Sequence, residues 1–423
     1  METTTAEVSD KKDVAKIPFT SYQKLIIVIL ALTQFTVVLD FMIMSPLGDM
    51  MMKSMNLHPD QFGWAVSAYA FSAGASGLLT AGFADRFDRK QLLLFFYLGF
   101  VLGTIFCGVA TTYPLLIAAR IITGLFGGVI GSISLAIVTD LFDLHHRGRV
   151  MGFTMMGFSA SQVLGVPVGL FIANYWGWQA PFLMVAMLAL LVLFLIVTKM
   201  RPVNAHLAVK QNRDPLAHLI KTFLKREYRI GFLATALISI GGFMMMPFGS
   251  AFAVNNLNVS QQQLTLLFMV SGVTSLFIMP LAGRLSDRID KFKLFAVAVI
   301  WTCIMVVIYT NQYQIPLWLV VALNVLMMIG IMSRVIPSTA LVSAVPDMAD
   351  RGAFMSINSS LQQIAGGIAA AVAGKIVVQQ TKTSPLEHYD IVGYLMVILS
   401  AISIIMVYRV SMHVKRKTGE KLA

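Results

Sequence analysis

The chain has 423 residues, of which 57% are hydrophobic and 12% are charged, and its mean hydropathy is +0.77. A soluble globular protein of this length needs far more polar surface, so the composition excludes one and predicts that most of the chain faces a lipid bilayer. The net charge of +12 also suits a nucleic-acid-binding protein. The basic residues are scattered over short loops without a compact basic domain, however, which excludes nucleic acid as a partner.

The chain begins with a polar, charged segment, 1–22, and twelve apolar runs follow it. The first segment contains no short apolar core with a cleavage site, so we expect a cytoplasmic tail and no removable signal peptide. Each apolar run has about twenty residues, the length of a helix that crosses a bilayer. The runs lie at 23–47, 62–84, 91–110, 114–139, 150–173, 180–199, 229–254, 262–282, 293–310, 316–342, 353–378 and 389–410. The sequence therefore predicts an all-α membrane protein with twelve transmembrane helices.

Three sets of motifs occur twice, once in each half of the chain. The sequence GFADRFDRK, Gly82 to Lys90, returns as GRLSDRIDK, Gly283 to Lys291. Two further pairs keep nearly the same offset: Pro46-Leu47-Gly48 with Pro247-Phe248-Gly249, and Asp143, Arg147, Gly148 and Met151 with Asp347, Arg351, Gly352 and Met355. Such a duplication predicts two pseudo-symmetric six-helix bundles that rock about a site between them, as in a transporter. The bundles are expected at 23–199 and 229–410, with a cytoplasmic linker at 200–228 and a cytoplasmic tail at 411–423.

Lys and Arg are distributed unevenly between the two sides of the predicted membrane. With the N-terminus inside, 27 of the 32 Lys and Arg fall in cytoplasmic segments. The other five lie in outer loops or within spans: Lys53, Lys382, Arg120, Arg334 and Lys375. This asymmetry follows the positive-inside rule and predicts a multi-pass protein of the cytoplasmic (inner) membrane with both termini in the cytoplasm.

The first copy of the loop motif, from Ala81 to Lys90, resembles the signature loop between helices 2 and 3 of the major facilitator superfamily, usually Gly-x-x-x-Asp-Arg-x-Gly-Arg-Arg/Lys. Asp88 stands where that family has its second glycine, and Asp290 stands there in the second copy. In the family, the acidic and basic residues of this loop latch the two halves on the cytoplasmic side. The resemblance implies a latch role here for Asp85, Arg86, Arg89 and Lys90, with Asp287 and Arg288 in the second copy. The alternative is that the basic residues only fix the topology.

The fifth predicted helix has small residues at every fourth position: Gly157, Ser161, Gly165 and Gly169. This spacing puts them on one face, where another helix backbone can approach closely. Pro167 is expected to bend the helix. The run from Gly165 to Gly169, with its central Pro167, resembles the antiporter motif of the drug:proton antiporter branch of the superfamily, and most closely that of its arabinose-efflux-permease-like members. The resemblance implies export, whereas the spacing alone implies only helix packing.

Asp40 is the only acidic residue that we place deep inside a predicted span, the first one. Thr33, Thr36, Asp40 and Met44 fall at helical spacing and form a mostly polar stripe that can line a cavity. A carboxylate at this depth costs several kcal/mol unless it is protonated, paired or wetted. Desolvation favours its neutral form, so Asp40 is the expected carrier of a proton in a proton-driven antiporter.

Arg120 is the expected partner of Asp40, because it lies in the fourth span at a comparable depth. Leu116, Arg120 and Gly124 match the superfamily's helix 4 pattern Leu-x-x-x-Arg-x-x-x-Gly. An ion pair would keep the aspartate charged until substrate or a conformational change releases it, which couples the two events. A permanent pair that only orders two helices is the alternative. We favour coupling because buried ion pairs stabilise proteins less than apolar packing does.

Other polar residues within the spans are candidates for the substrate cavity. Arg334, in the tenth span, has two interpretations of equal weight: it binds an anionic group of the substrate, or its long side chain reaches the inner membrane interface. The uncharged candidates either contact substrate, as Thr36 in the stripe would, or join neighbouring helices by hydrogen bonds. They are Gln34, Thr36, Gln162, Asn324, Asn358 and Gln362.

The sequence supports neither a metal site nor an enzyme. Cys107 and Cys303 lie in different halves, and the 27 methionines lack the Cys or His cluster that a copper site would add, so we expect adaptable apolar lining. No nucleotide-binding loop or nucleophile–base arrangement is present, so we expect no cofactor, with the proton gradient as driving force.

The predicted function is proton-coupled efflux of a small organic molecule, such as a drug, sugar or metabolite, by alternating access in a monomer. Its expected partners are this substrate, protons and the lipid bilayer. One alternative is an uptake symporter or facilitator on the same fold. Another is a receptor that does not transport, but the polar residues within the spans and the two loop motifs count against it.

Overall fold

In a computed structural model of the protein, the described residues are 19–80, 83–204, 207 and 215–418. Within these ranges, the side chains of five residues are not described: Asp85, Leu144, His145, Pro215 and Thr418.

Helices account for nearly all of the described chain. The amino-terminal half contains α1 Ser21–Ile43, α2 Gly48–Met55, α3 Pro59–Thr80, α4 Arg89–Val109, α5 Tyr113–Leu141, α6 Leu144–Ala160, α7 Val166–Trp176 and α8 Gln179–Lys199. After the linker helix α9, Pro215–Leu224, the carboxy-terminal half contains α10 Arg229–Phe243, α11 Gly249–Asn255, α12 Gln261–Arg288, α13 Lys291–Thr310, α14 Leu317–Ser343, α15 Arg351–Ile376 and α16 Tyr389–Thr418. A π-helical turn, Ser161–Gly165, joins α6 to α7, and short 3₁₀ turns lie at Ala84–Arg86 and Met246–Phe248.

Ten helical stretches in the described part of the chain are long and apolar enough to cross a membrane. The other two predicted spans are α3 and α15, with 22 and 26 residues. These two helices pack against each other across the halves: the Ser67 hydroxyl donates to the Gly367 carbonyl at 2.7 Å. They face protein more than lipid, so small and polar residues replace large apolar ones. The predicted all-α fold with twelve membrane-spanning helices in two groups of six is thus confirmed.

The small-residue face of α6 and α7 packs directly on α1. A Cβ added to Gly157 would lie 2.3 Å from the Ala31 carbonyl oxygen, and one added to Gly165 or Gly169 would lie 2.7 Å from an α1 side chain. The Ser161 hydroxyl, on the same face, donates to a backbone carbonyl of α1 at 2.8 Å. The π-helical turn directly precedes Pro167, whose missing N–H interrupts the regular helical hydrogen bonds.

The two halves meet at one end of the molecule, which we call the outer end after the orientation that Lys and Arg predict. The two copies of the Pro-x-Gly motif face each other there: a Cβ on Gly48 would lie 3.0 Å from the Pro247 carbonyl oxygen. The Ser45 hydroxyl donates to the Met246 carbonyl, and the Ser250 hydroxyl donates to the Ser45 carbonyl at 2.7 Å. The two copies of the Pro-x-Gly motif therefore contact each other and join the two halves.

At the opposite, inner end, the ion pairs lie within one half or between the linker and one half. Lys415 pairs with Asp290 at 2.7 Å within the carboxy-terminal half, and the linker residue Lys225 pairs with Asp350. The Lys225 ammonium, and then the Tyr228 hydroxyl, lower the pKa of Asp350. Among the described residues, no hydrogen bond or ion pair joins the two halves at this end. The polar contacts between the halves in the described chain therefore lie toward the outer end and the middle of the molecule.

The contact between α6 and α1 can be tested with two glycines of α6. We expect Gly157→Ala to lower the melting temperature by several degrees, because its Cβ meets backbone at 2.3 Å and overpacking costs about 1–3 kcal/mol. Gly152→Ala is the matched control, since Gly152 is exposed and nothing lies within 4 Å of its Cβ position. Thermal unfolding of the purified variants in detergent measures both. Equal melting temperatures for the two variants would contradict the close packing.

Candidate transport site

Four helices of the amino-terminal half meet at a fully buried ion pair. Asp40 of α1 and Arg120 of α5 are both 0% exposed, and Arg120 Nη1 donates to Asp40 Oδ2 at 3.0 Å. The Thr104 hydroxyl of α4 donates to the other carboxylate oxygen at 3.2 Å. The Arg120 guanidinium carbon lies 4.5 Å from the centre of the Tyr69 ring in α3. The structure thus brings Asp40 and Arg120 together and adds a hydroxyl and an aromatic ring.

The polar stripe of α1 faces the interior of its own half. Thr33 and Thr36 are 0% and 1% exposed, and the Thr36 hydroxyl shares a hydrogen bond of 2.8 Å with the Tyr97 hydroxyl of α4. Thr36 therefore lies against α4, whereas the sequence places it in the substrate cavity. Of the stripe, Met44 lines a cavity, a small one between the halves. The carboxyl of Asp40 is consequently enclosed by protein, and a proton reaches it only by passing between protein groups.

The Arg120 guanidinium is incompletely satisfied. Its Nε and Nη2 atoms are buried and have no hydrogen-bond partner. The Tyr69 ring supplies a cation–π contact to the same group, which compensates only part of the lost hydration. An ion pair that is buried and only partly hydrogen-bonded is a poor source of stability. This arrangement is held in place by the packing around it and is sensitive to loss of the Asp40 charge.

Aromatic rings connect the buried pair to the boundary between the halves. The Tyr69 ring lies 5.3 Å from the Phe41 ring, and Phe41 lies 6.1 Å from Phe243 of α10 in the other half. Phe41 and Phe243 also line a cavity of about 20 Å³, which has room for about one water molecule. A displacement of Arg120 would therefore be transmitted to the interface between the halves through the Tyr69 and Phe41 rings.

A second buried carboxylate closes the outer end. Asp49, at the start of α2, is 1% exposed and accepts hydrogen bonds from Lys53 at 2.9 Å, Asn255 at 2.6 Å and Gln261 at 2.6 Å. Lys53 also donates to the Asn255 side chain at 3.0 Å. Asn255 and Gln261 belong to the other half. We call these four residues the outer seal, because the outer end cannot open while they remain hydrogen-bonded.

The basic residues of the first loop motif contact their own half. Arg89 pairs with Asp140 at the end of α5 at 3.1 Å and donates to the Ala84 carbonyl at 3.0 Å. The Lys90 ammonium donates to the Met200 carbonyl at 2.6 Å, just beyond α8. These contacts tie the loop to the inner ends of α5 and α8.

The two aspartates that replace the family's glycine cap helices. Asp88 accepts two backbone hydrogen bonds from the first turn of α4, at 2.8 and 3.1 Å. Asp290 accepts one from the first turn of α13 at 3.0 Å. Partial burial raises the pKa of Asp290, but the Lys415 ammonium and the backbone N–H groups lower it by more in total, so the net shift is downward. The same cap therefore starts the same helix in each half.

The remaining latch candidates make no such contacts. Arg86, Asp287 and Arg288 are exposed, and none of them forms a hydrogen bond or ion pair with another described residue. The side chain of Asp85 lies outside the described set.

The uncharged cavity candidates divide into two groups. Gln162, Asn324 and Asn358 each accept a hydrogen bond from a hydroxyl of a neighbouring helix, and the Gln162 bond of 3.1 Å crosses between the halves to α12. Gln34 is half-buried beside α5, and Gln362 is exposed on α15. Gln34 and Gln362 form no side-chain hydrogen bond with another described residue.

Arg334 of α14 extends toward α10. It is 4% exposed, and its Nη2 atom would lie 3.2 Å from a Cβ on Gly242. On its two sides stand the helices that contact the other half: α12 packs on the π-helical turn and α15 packs on α3. The space between α10 and α14 therefore faces the amino-terminal half.

The sequence indicated Asp40 and Arg120, but not Thr104, Tyr69, Asn255 or Gln261. Each of these is an ordinary helix residue whose role arises from a contact with a distant part of the chain. For Asp49 the sequence gives only a weak sign of a partner: Lys53 lies one turn later on the same helix, at a spacing that allows an ion pair.

The sequence matches the family model "Major Facilitator Superfamily" over residues 30–252 and 231–422. It is 24% identical over 388 residues to the uncharacterised MFS-type transporter YbcL of Bacillus subtilis, covering 89% of this chain and 95% of that protein. It is 25% identical to the bicyclomycin resistance protein homolog of Haemophilus influenzae, covering 77% and 82%. It is 26% identical to the probable sugar efflux transporter of Helicobacter pylori, covering 81% and 84%.

Two solved structures share the fold. One is a bacterial homolog of the human lysosomal transporter Spinster in an inward-facing conformation, with a TM-score of 0.73 at 14% identity, covering 96% of this chain and all of that one. The other is a D-xylose–proton symporter, with a TM-score of 0.73 at 18% identity, covering 92% and 97%.

The outer seal can be tested with Asp49→Asn. An Asn side chain is uncharged and has one accepting oxygen, so it cannot accept from Asn255 at one position and from Lys53 and Gln261 at the other, and we expect the outer end to separate more often. Spin labels at the exposed Ser54 and Asn258, in a protein with Cys107 and Cys303 replaced by alanine, should show a shift toward longer distances. Asp60→Asn, at an exposed acid of the same end, should show none. An unchanged distance distribution in Asp49→Asn would reject the seal.

Proposed function

Because the chain belongs to the Major Facilitator Superfamily, whose members are membrane transporters and not enzymes, we propose that it exports a small organic molecule in exchange for protons. The buried pair of Asp40 and Arg120 carries this proposal. Both residues are 0% exposed, and Asp40 is the carboxyl that lies within the membrane-spanning part of the described chain. A group that stores a proton out of contact with bulk water is what proton coupling requires.

Protonation of Asp40 cancels its charge and leaves Arg120 with the Tyr69 ring as its main partner. A buried cation without its anion is costly, so Arg120 moves or gains water. Because Tyr69 contacts Phe41, and Phe41 contacts Phe243 of the other half, this movement changes the packing between the halves. Proton binding thereby biases the protein toward one of its two conformations.

The two ends supply the gates of an alternating-access cycle. In this conformation, the outer seal is formed, whereas no described hydrogen bond or ion pair joins the halves at the inner end, which we assign to the cytoplasm because most Lys and Arg lie there. Closure of the inner end would bring the loop motifs of the two halves together, with Asp85, Arg86, Arg89 and Lys90 facing the region of Asp287 and Arg288. The exposed Arg86, Asp287 and Arg288 are available for such a latch.

Export is the direction that two observations favour. Relatives that align with most of this chain are named for bicyclomycin resistance and for sugar efflux. The run from Gly165 to Gly169, with its central Pro167, resembles the antiporter motif. We also propose that the protein is a monomer in a bacterial inner membrane and has both termini in the cytoplasm.

Replacing Asp40 tests proton coupling. A substrate is first identified by thermal-shift screening of the purified protein against drugs, sugars, nucleosides and amino acids. In proteoliposomes, Asp40→Asn should abolish uphill export driven by an inward proton gradient, since an amide does not titrate. Downhill exchange should remain measurable because the side chain keeps its shape. Full gradient-driven export by a folded Asp40→Asn protein would disprove the assignment.

A second variant separates coupling from stability. Asp40→Asn leaves Arg120 buried without its anion, which costs about 3–5 kcal/mol. Adding Arg120→Gln removes that charge and should restore the melting temperature. If the double variant also regained gradient-driven export, Asp40 would be structural and not the coupling group.

A further inference from the structure

Arg334 is a buried cation without an anion. It is 4% exposed, and its guanidinium forms no hydrogen bond or ion pair with any described residue. The described acids of the carboxy-terminal half all lie in loops or near helix ends: Asp287, Asp290, Asp347, Asp350, Glu387 and Asp390. Arg120 in the other half differs from Arg334, because Asp40 neutralises it.

Arg334 lies well inside the membrane-spanning part of α14. Arg334 lies nine residues before the inner end of α14 at Ser343, about 14 Å along the helix. Its guanidinium lies beside Gly242, which is thirteen residues from the inner end of α10 at Arg229, about 20 Å. Gly231 packs on Val345, and these two residues are eleven residues from Gly242 and from Arg334, so the guanidinium lies at about the depth of its own Cα. The side chain therefore does not extend toward the inner interface.

Gly242 has no side chain that would cover the guanidinium on the α10 side. It is exposed, and any side chain there would begin 3.2 Å from Arg334 Nη2. Phe243, the next residue, faces Phe41 of the other half. The group on α13 that interacts with Arg334 is the thiol of Cys303. The fixed positive charge thus lies beside Gly242, and the aromatic rings of Phe243 and Phe41 follow at the boundary between the halves.

We propose that Arg334 binds the oxyanion of the transported molecule, a carboxylate in the simplest case. An unpaired guanidinium at this depth is costly, and a substrate anion supplies both the missing charge and the missing acceptors. The rings of Phe41 and Phe243 take the apolar remainder of that molecule. The proposal rests on the proposed function of export and specifies its substrate class: a soluble, amphipathic organic acid.

Binding of 2-naphthoate and its neutral analogue 2-naphthamide tests this without a proton gradient. With the full chain in phosphatidylcholine nanodiscs, calorimetry should show naphthoate binding at least about tenfold more tightly, the effect of one hydrogen bond to a charged group. Arg334→Gln should reduce the naphthoate affinity to that of naphthamide. Arg284→Gln, at an exposed arginine of α12, should leave both unchanged. Equal affinities in the unmodified protein, or a preference that survives Arg334→Gln, would overturn the proposal.

Gly242→Val gives an independent test in which the charge stays. Its side chain would cover the guanidinium, so the preference for naphthoate should be lost. Gly283→Val is the matched control, because its Cβ would meet only Ile336 at 3.9 Å. Arg334→Gln should fold at least as stably as the unmodified protein, because it removes an unpaired buried charge. A large loss of thermal stability in Arg334→Gln would indicate a structural role and overturn the proposal.

Two further measurements distinguish the anion site from the proton-coupling site and from a lipid-binding site. Asp40→Asn should keep the preference for naphthoate, so a failure of proton coupling and a failure of the anion site give different results. Nanodiscs with added phosphatidylglycerol distinguish a soluble anion from a lipid headgroup. Naphthoate affinity within about twofold of that in phosphatidylcholine supports the soluble anion, whereas competition by the anionic lipid overturns it.

Discussion

The ion pair between Asp40 and Arg120 is the constraint to which the packing of the amino-terminal half is adapted. Two opposite charges that are fully out of contact with water must stay within hydrogen-bond distance, or each becomes costly. Thr104 and Tyr69 come from two further helices, so α1, α3, α4 and α5 are all held to one geometry. The glycine face of α6 and α7 then fixes α1 from the other side. A change of charge at Asp40 consequently acts on a rigid body and not on one side chain.

The two halves resemble each other at their ends and differ at their centres. Asp88 and Asp290 cap equivalent helices, and the two Pro-x-Gly segments pack on one another. At the centre, one half holds a complete ion pair and the other holds only Arg334. Helix caps and close backbone contacts are needed wherever these helices start and meet, so both halves keep them. The two halves therefore differ at the charges to which we assign proton coupling and substrate binding.

The sequence predicted the twelve helices because a bilayer imposes one length and one composition on each span. It also predicted the pair of Asp40 and Arg120, since a lone acid and a lone base at equal depth have few other partners. It did not predict that Thr36 would bond to Tyr97 and turn the polar stripe inward. Helical spacing defines a face but not the neighbour that covers it. The outer seal was missed for the same reason, because Asn255 and Gln261 are ordinary helix-end residues until the fold brings them to Asp49.

The central charges also determine how export would use the membrane potential. A cycle that moves one proton inward and one organic monoanion outward transfers two elementary charges across the membrane. At 100 mV, negative inside, this contributes on the order of 5 kcal/mol per cycle, in addition to the pH gradient. The positive charge of Arg334 makes such a cargo tolerable in the centre of the protein, because the loaded, deprotonated state contains two cations and two anions. The empty, protonated state contains two cations and no anion. It is therefore the state in which water entry and a change of conformation relieve the largest electrostatic cost.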